Sequence, residues 1–206
     1  MEVVAHQASV AGHDAPLLPP TSFVAPPSRV TVVAGDPGAG QRALALALGG
    51  RIPLATGSIA LDNDVRDATR RRHVTLVDVP EVTAPEEGLP VLRVVADELG
   101  YAHAPSGRAQ TERFLATHGA ARHMREPFER LDNGIRVRVL MAAAAERADA
   151  RVLVLANPDR RGGDPHDWWP VAEDLAGQGL TVVVQTTHAT CRLLGIAVTF
   201  ELGATP

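Results

Sequence analysis

Apolar positions along the chain change period in a way that marks out alternating strands and helices. Val30-Thr31-Val32-Val33-Ala34 is a continuous apolar, β-branched run and predicts a short strand buried on both faces. It stops at Gly35-Asp36-Pro37-Gly38-Ala39-Gly40. Strong helix formers follow over 41–48 and end at Gly49-Gly50, the composition of a helix and its stop. Residues 57–61 and 74–77 read as strands separated by a charged turn over 62–72. Pro80, Pro85 and Pro90 then punctuate a loop. Apolar residues spaced three and four apart predict helices over 91–99 and 109–118, with a third helical piece near 127–131. A helix over 133–147, a strand over 152–155, a helix over 168–176, a strand over 181–184, a short helix near 191–194 and a last strand over 197–202 complete the pattern. Such alternation predicts an α/β fold with a mostly parallel sheet and helices on both faces. A helical insertion occupies about 80–135, and the ordered domain covers 29–206. Residues 1–28 hold Pro16, Pro19, Pro20, Pro26 and Pro27, poor material for a helix or central strand. They are expected to form a mainly irregular arm with an edge strand through 22–25.

Composition narrows the chemistry. The net charge is −4, from 20 basic and 24 acidic residues, so neither nucleic acid nor an anionic membrane surface is an expected partner. Cys191 is the single cysteine, which excludes an intrachain disulfide and a multi-cysteine metal cage. No apolar run reaches the ~18–20 residues that span a bilayer, and the first 28 residues lack the pattern of a signal peptide. All the basic residues are Arg, and the sequence contains no Lys. That excludes every mechanism built on a lysine.

Gly35-x-x-Gly38-x-Gly40 lies between a strand and a helix, the setting in which backbone N–H groups and a helix N-terminus converge on an anion. Gly35 and Gly40 match the fixed glycines of the phosphate-loop pattern G-x-x-x-x-G-K-[ST]. The lysine position holds Gln41 and the Ser/Thr position holds Arg42. Gln41 offers only a neutral N–H to phosphate, and Arg42 cannot ligate a cation. An ordinary glycine-rich turn is an equal reading of this segment alone.

Three further segments follow in order: Leu131-Asp132-Asn133-Gly134-Ile135 opening a helix, Val152-Leu153-Val154-Leu155-Ala156-Asn157-Pro158, and Gln185-Thr186-Thr187-His188. With the loop and the helical insertion, this order over 29–202 resembles the ATP-binding subunits of ABC transporters. Their order is a P-loop, a helical subdomain, an L-S-G-G-Q signature, a strand ending D-E-P and a strand ending in a switch His. The resemblance implies a P-loop NTPase-type fold. It places Ala156 where the family's Mg²⁺-steadying acid stands and Asn157 where its general base stands. The Gln loop would fall near Asp78-Val79-Pro80, without a Gln. Of the signature only Leu131 and Gly134 remain, and Asp132 is expected to cap its helix. His188 alone stands unchanged at its place.

Other residues carry weaker readings. Phe23 is the sole candidate to stack adenine. Trp168 and Trp169 read as packing. His73, His118 and His123 read as solvent-facing, and Asp159, Asp164 and Asp167 as a solvated loop cluster. The Arg70-Arg71-Arg72 run is a solvated turn or an anion patch.

The resemblance therefore implies a degenerate ABC-type ATP-binding domain without ATP hydrolysis. It would be a non-catalytic or regulatory component of a membrane transport or export assembly, on the cytoplasmic side. Weak, Mg²⁺-independent ATP binding would use Gly35, Asp36, Pro37, Gly38, Ala39, Gly40, Gln41, Arg42 and His188, with no catalytic residue and no metal. The implied partners are a membrane transport protein and another ABC-type subunit, met through a nucleotide-independent surface. A divergent active nucleotide hydrolase and an interaction scaffold that binds no nucleotide stay open as alternatives.

Overall fold

The computed structural model describes every residue except Pro37, Thr199 and residues 204–206, and the side chain of Ala39. Two sheets share one body. Strands β3 (Val30–Ala34), β5 (Val74–Val77), β6 (Val152–Ala156), β7 (Thr181–Thr186) and β8 (Phe200–Glu201) form a five-stranded sheet in the order β5-β6-β7-β3-β8. All its pairings are parallel. Its apolar strands are buried on both faces. Leu153 and Leu155 point into a core shared with α3 (Val91–Tyr101), α5 (Asn133–Ala145) and α6 (Trp169–Gly177). Val152 and Val154 point into a second core, against α1 (Ala39–Leu48) and the other sheet. The expected two-sided parallel sheet is present, and the strand and helix expectations from residue 30 onward match its elements to within a few residues.

The N-terminal segment departs from expectation. Strands β1 (Val3–Val10) and β2 (Leu18–Ala25) pair antiparallel with each other, and β4 (Thr56–Leu61) adds to β1, giving the order β2-β1-β4. The supposed irregular arm therefore supplies the central strand of a second sheet. Its pattern is hidden by a bulge. Val3 and Ala5 are buried before it, Ala8 and Val10 after it, so the inward parity flips. Gln7 takes φ 48° at this break. Opposite it, a Cβ on Gly57 would lie 2.2 Å from the Gln7 carbonyl oxygen, an approach only glycine permits. Pro19 and Pro20 lie on β2, which among the described residues pairs only with β1. An edge strand tolerates the missing donors.

The charged turn over 62–72 is also corrected. It contains helix α2 (Asp67–His73), which has no apolar stripe to announce it. Arg70 anchors it from within: buried, it pairs with Asp67 and donates from Nη1 to the carbonyls of Ile59 (2.6 Å) and Val65 (2.8 Å). Of the arginine run, Arg70 is thus a buried anchor, while Arg71 and Arg72 stay exposed.

The helical part comprises α3, α4 (Arg108–Thr117) and short 3-10 turns at Ala121–His123 and Phe128–Arg130. One ion network fastens it to the parallel sheet. Arg136, in the first turn of α5, is 1% exposed and makes two hydrogen bonds to Asp78 (2.9 and 3.1 Å) at the end of β5. It makes two more to Glu87 (both 2.9 Å) and lies 4.6 Å from the centre of the Phe128 ring. Arg160 pairs with Asp78 at 2.6 Å, and Arg161 pairs with Glu87. Burial opposes the Arg136 charge, but the Asp78 bonds outweigh it and raise its pKa. Asp78 holds φ 55° to reach this position. Removing one partner of such a pair strands the other charge in the interior. Asp78→Ala is expected to destabilise the protein by about 3–5 kcal/mol in chemical denaturation. Removing Arg161, which is on the open side of the network, should change stability by less than ~1 kcal/mol.

Candidate functional site: the glycine-rich loop

The loop joins β3 to α1 at the C-terminal edge of the parallel sheet, and the ends of β6 and β7 stand beside it. This is where open α/β sheets bind ligands. Helix α1 has Gly38 as its N-cap and no capping side chain, so its first N–H groups are not taken by a cap.

The glycines have different reasons. A Cβ on Gly35 would lie 2.8 Å from Leu202 Cβ, and one on Gly40 would lie 2.9 Å from Leu202 Cδ2. Gly35 is thus fixed by the close passage of the chain after β8, whereas at Gly40 it is the movable tip of the Leu202 side chain that approaches. A Cβ on Gly38 would meet nothing within 4 Å. Gly38 is the open side of the loop, the face an anion could approach. Asp36 is exposed and adds a negative charge to that face. Pro37 lies outside the described residues, and Ala39 contributes through its backbone.

Gln41 does not face the open side. It is fully buried, and its Nε2 donates to the carbonyls of Gly35 (2.9 Å) and Thr186 (3.3 Å). Its Oε1 is buried without a partner among the described residues. A second buried glutamine, Gln185 on β7, completes the arrangement. In the orientation that satisfies both ends of its amide, it donates to the Gln41 carbonyl (2.9 Å) and accepts from the Ala45 N–H (3.1 Å). Two neutral amides thus tie α1 to β3 and β7. Sequence reasoning gave Gln185 no role; a glutamine directly after the apolar run Val182-Val183-Val184, within the strand, was the available signal.

Arg42 is turned away as well. It forms an ion pair with Glu81, which follows the Asp78-Val79-Pro80 segment. The Ser/Thr position of the pattern is therefore joined to the loop after β5 by protein groups alone. Ala156 is buried at the end of β6. Asn157 adopts a left-handed conformation (φ 49°, ψ 56°), with its Oδ1 buried and unpartnered among the described residues. His188 begins α7 (His188–Leu194), half-buried and without a side-chain hydrogen bond among the described residues.

Asp159 is the acid that sequence reading underrated. It is no solvated loop carboxylate. Its Oδ2 accepts from the hydroxyls of Thr186 (3.0 Å), Thr187 (2.8 Å) and Thr190 (2.7 Å) and from the Thr187 N–H (3.1 Å). Burial alone would raise its pKa, but these bonds outweigh it and lower the value below 3.8. A carboxylate so engaged is a clamp between the loop after β6 and the start of α7, and a weak base.

The segment over 131–135 is fastened internally. Asn133 Nδ2 donates to the carbonyls of Pro158 (2.6 Å) and Gly162 (2.7 Å). A Cβ on Gly134 would lie 2.4 Å from Asp167 Cβ. Asp132 is the N-cap residue of α5, but its side chain makes no cap hydrogen bond, so the expected carboxylate cap is absent. The remaining candidates are structural. Phe23 is buried with its ring 5.8 Å from that of Phe200, so it cannot stack a base as it stands. Trp168 is a core residue, as expected. The three histidines are not solvent-facing: His73 bonds to the Asp149 carbonyl, His118 packs on Phe114, and His123 bonds to Glu126.

The residues present fit a phosphate through backbone N–H groups on the Gly38 side. At the positions that the resemblance gives to the Mg²⁺ ligands, Arg42 and Ala156 carry no side-chain oxygen.

The fold is a P-loop NTPase-type α/β fold, and solved structures make it more specific. The chain is similar to an ATP-binding subunit of an ABC transporter (18% identity, 93% of this chain and 82% of that one, TM-score 0.65). It is also similar to a Pyrococcus furiosus protein described as an ABC transporter ATP-binding protein (15%, 91% and 92%, TM-score 0.70). A nucleotide-free ATP-binding cassette from an ABC transporter matches at 13% identity over 99% and 90%, with TM-score 0.71. The chain therefore has the fold of ABC transporter ATP-binding subunits. No protein-family model matches it, and no curated protein matches its sequence.

The neutral base of the loop is testable. Gln41→Lys would place an ammonium in a fully buried position beside carbonyls, with no acid at 156 or 157. Thermal and denaturant unfolding should show a loss of roughly 3 kcal/mol. Inorganic phosphate or nucleotide should recover part of it, because a ligand bound to the native state adds stability by mass action.

Proposed function

We propose that this chain is an ABC-type ATP-binding domain without ATP hydrolysis, acting as a non-catalytic or regulatory component of a membrane transport or export assembly. The observation that carries the reading is the loss of charge around the loop. The positions for phosphate charge, metal ligation and general base hold Gln41, Arg42, Ala156 and Asn157, and one carboxylate oxygen of the nearby Asp159, Oδ2, is held by three threonine hydroxyls. Arginine-finger contributions to phosphoryl transfer are each worth ~10³–10⁵ in rate. Several such absences together should leave turnover at background. The rival of a divergent active hydrolase requires a base, and Asp159 is poorly suited to the part.

What persists is the open face at Gly38, where backbone groups do not depend on side-chain identity. Weak nucleotide or anion binding there, indifferent to Mg²⁺, is the expected remnant. Among the described residues no helix is long and apolar enough to cross a membrane. Association with a membrane would then pass through a partner, on its cytoplasmic face.

The direct test is a steady-state ATPase assay combined with thermal shift. We expect no hydrolysis above background with Mg²⁺. A small nucleotide-induced rise in Tm should be equal with and without Mg²⁺ and absent in Gly38→Asp, a variant with room for its side chain. Turnover at ordinary ATPase rates that Gly38→Asp removes would refute the reading. No nucleotide-dependent shift at all would favour a pure interaction scaffold.

The signature segment bears on assembly. Family domains close in pairs by placing this segment on the partner's bound γ-phosphate. Here Asp132 would bring a carboxylate to a polyanion, a repulsion of about 4 kcal/mol at ~4 Å and an effective dielectric near 20. Asn133 and Gly134 are already committed to the loop after β6. Light scattering should therefore show the same mass with and without ATP. ATP-driven dimerisation that Asp132→Ser fails to strengthen would overturn this expectation.

A further inference from the structure

A cleft of about 550 Å³ lies between β5, the loop after it, α3 and α5, a volume in the range of small-molecule sites. Its lining mixes apolar with polar side chains, and most of the polar ones have partners. Asp78 has Arg136 and Arg160, and Asp97 has Arg93. Arg147 donates to the carbonyls of Arg71 and Arg72, and Thr83 Oγ1 accepts from the Val79 N–H. Glu86 and Tyr101 stand exposed at the rim. Three groups remain. Thr75 shares a face of β5 with Val77, two residues on, and its Oγ1 is buried without a hydrogen-bond partner among the described residues. Buried hydroxyls ordinarily have one. Arg51, which follows the end of α1, and Glu98 on α3 both line the cleft. Neither makes a hydrogen bond or ion pair among the described residues. Arg51 is exposed; Glu98 is half-buried, and burial, then the charges of Asp78 and Asp97, push its pKa up to about 7.

The cleft thus holds a cation, an acid and a buried hydroxyl with no protein partner, beside the apolar side chains of Leu76, Val82, Leu89 and Val94. Charge decides which ligand fits. A bare anion such as phosphate would suit Arg51 but meet Glu86 and Glu98. A bare cation would suit the acids and leave Arg51 unused. A molecule with one carboxylate and one ammonium group uses both, through charge-assisted hydrogen bonds, and brings no net charge into a partly apolar site. We propose that this cleft binds a zwitterionic small molecule with an apolar body, of the class of apolar α-amino acids and their dipeptides. The carboxylate lies on the Arg51 guanidinium, the ammonium on Glu98, and Thr75 Oγ1 gains the hydrogen bond it lacks. None of these three groups belongs to the glycine-rich loop, so the site is separate from nucleotide binding and does not depend on it.

The test is isothermal titration calorimetry of the whole chain at pH 7.5, where Glu98 is mostly ionised. The zwitterionic probes are L-phenylalanine and L-alanyl-L-phenylalanine. Two analogues keep one charge each: 3-phenylpropanoate has only the carboxylate, and 2-phenylethylamine only the ammonium. At least one zwitterion should saturate the protein and bind roughly tenfold or more tightly than either analogue, the loss expected for one charge-assisted contact. Arg51→Gln should lower the affinity of that zwitterion to the level of the amine and leave the amine itself unaffected. Glu98→Gln should lower it to the level of the carboxylate and leave the carboxylate no weaker. The comparison of zwitterions with analogues on the natural protein needs no variant, so it stands even where a substitution disturbs folding. No saturable binding of either zwitterion, equal binding of a zwitterion and a one-charge analogue, or a zwitterion affinity that neither variant lowers would each overturn the proposal. The titrations contain no nucleotide, so their outcome is separable from that of the non-hydrolytic reading.

Discussion

The arrangement depends above all on one buried cation. Arg136 sits almost fully out of water, and an unpaired guanidinium there would cost several kcal/mol. It is tolerable only because Asp78 reaches it from the end of β5 and Glu87 from the following loop. Arg160 and Arg161 then balance the acids from the segment after β6. The contacts to Asp78 reach the end of β5 from α5 and from the segment after β6, and those to Glu87 tie the same two elements to the loop that leads into the helical part. The relation of the helical part to the parallel sheet is thus set by directional, charge-assisted bonds as well as by apolar packing, which alone would allow sliding.

The same logic of charge balance explains the loop. A buried lysine at position 41 would need acids nearby, and acids at 156 and 157 would need a cation or metal. This chain has neither half. Gln41 and Gln185 hold α1 to the strand ends through neutral amides, which need no ligand to balance a charge. The substitutions are therefore mutually consistent: each makes the absence of the others tolerable. Asp159 fits the pattern, since its charge is absorbed by three hydroxyls and an N–H rather than left for chemistry.

Against this background Glu98 stands out. Elsewhere the interior neutralises or pairs its charges; here a half-buried acid beside an apolar stripe makes no hydrogen bond or ion pair among the described residues, and burial raises its pKa.

How far the sequence alone reached depended on the kind of signal. Continuous apolar runs such as Val152–Ala156 and the three-four spacing over Val91–Leu99 are local, so the parallel sheet and its helices were legible, as was the order of motifs resembling ABC subunits. The first sheet was not, because the bulge at Gln7 shifts the inward parity of β1, and its pairing with β4 joins residues as distant in sequence as Val3 and Leu61. Helix α2 escaped because Arg70, a charged residue, performs the burial that apolar residues usually announce. At the loop the sequence determined which groups are missing. Only the tertiary structure decided that Gly35 and Gly40 make room for Leu202, that Gln41 faces inward, and that Arg42 is held by Glu81. Those facts depend on side chains brought together by chain passage and burial, which no local pattern encodes.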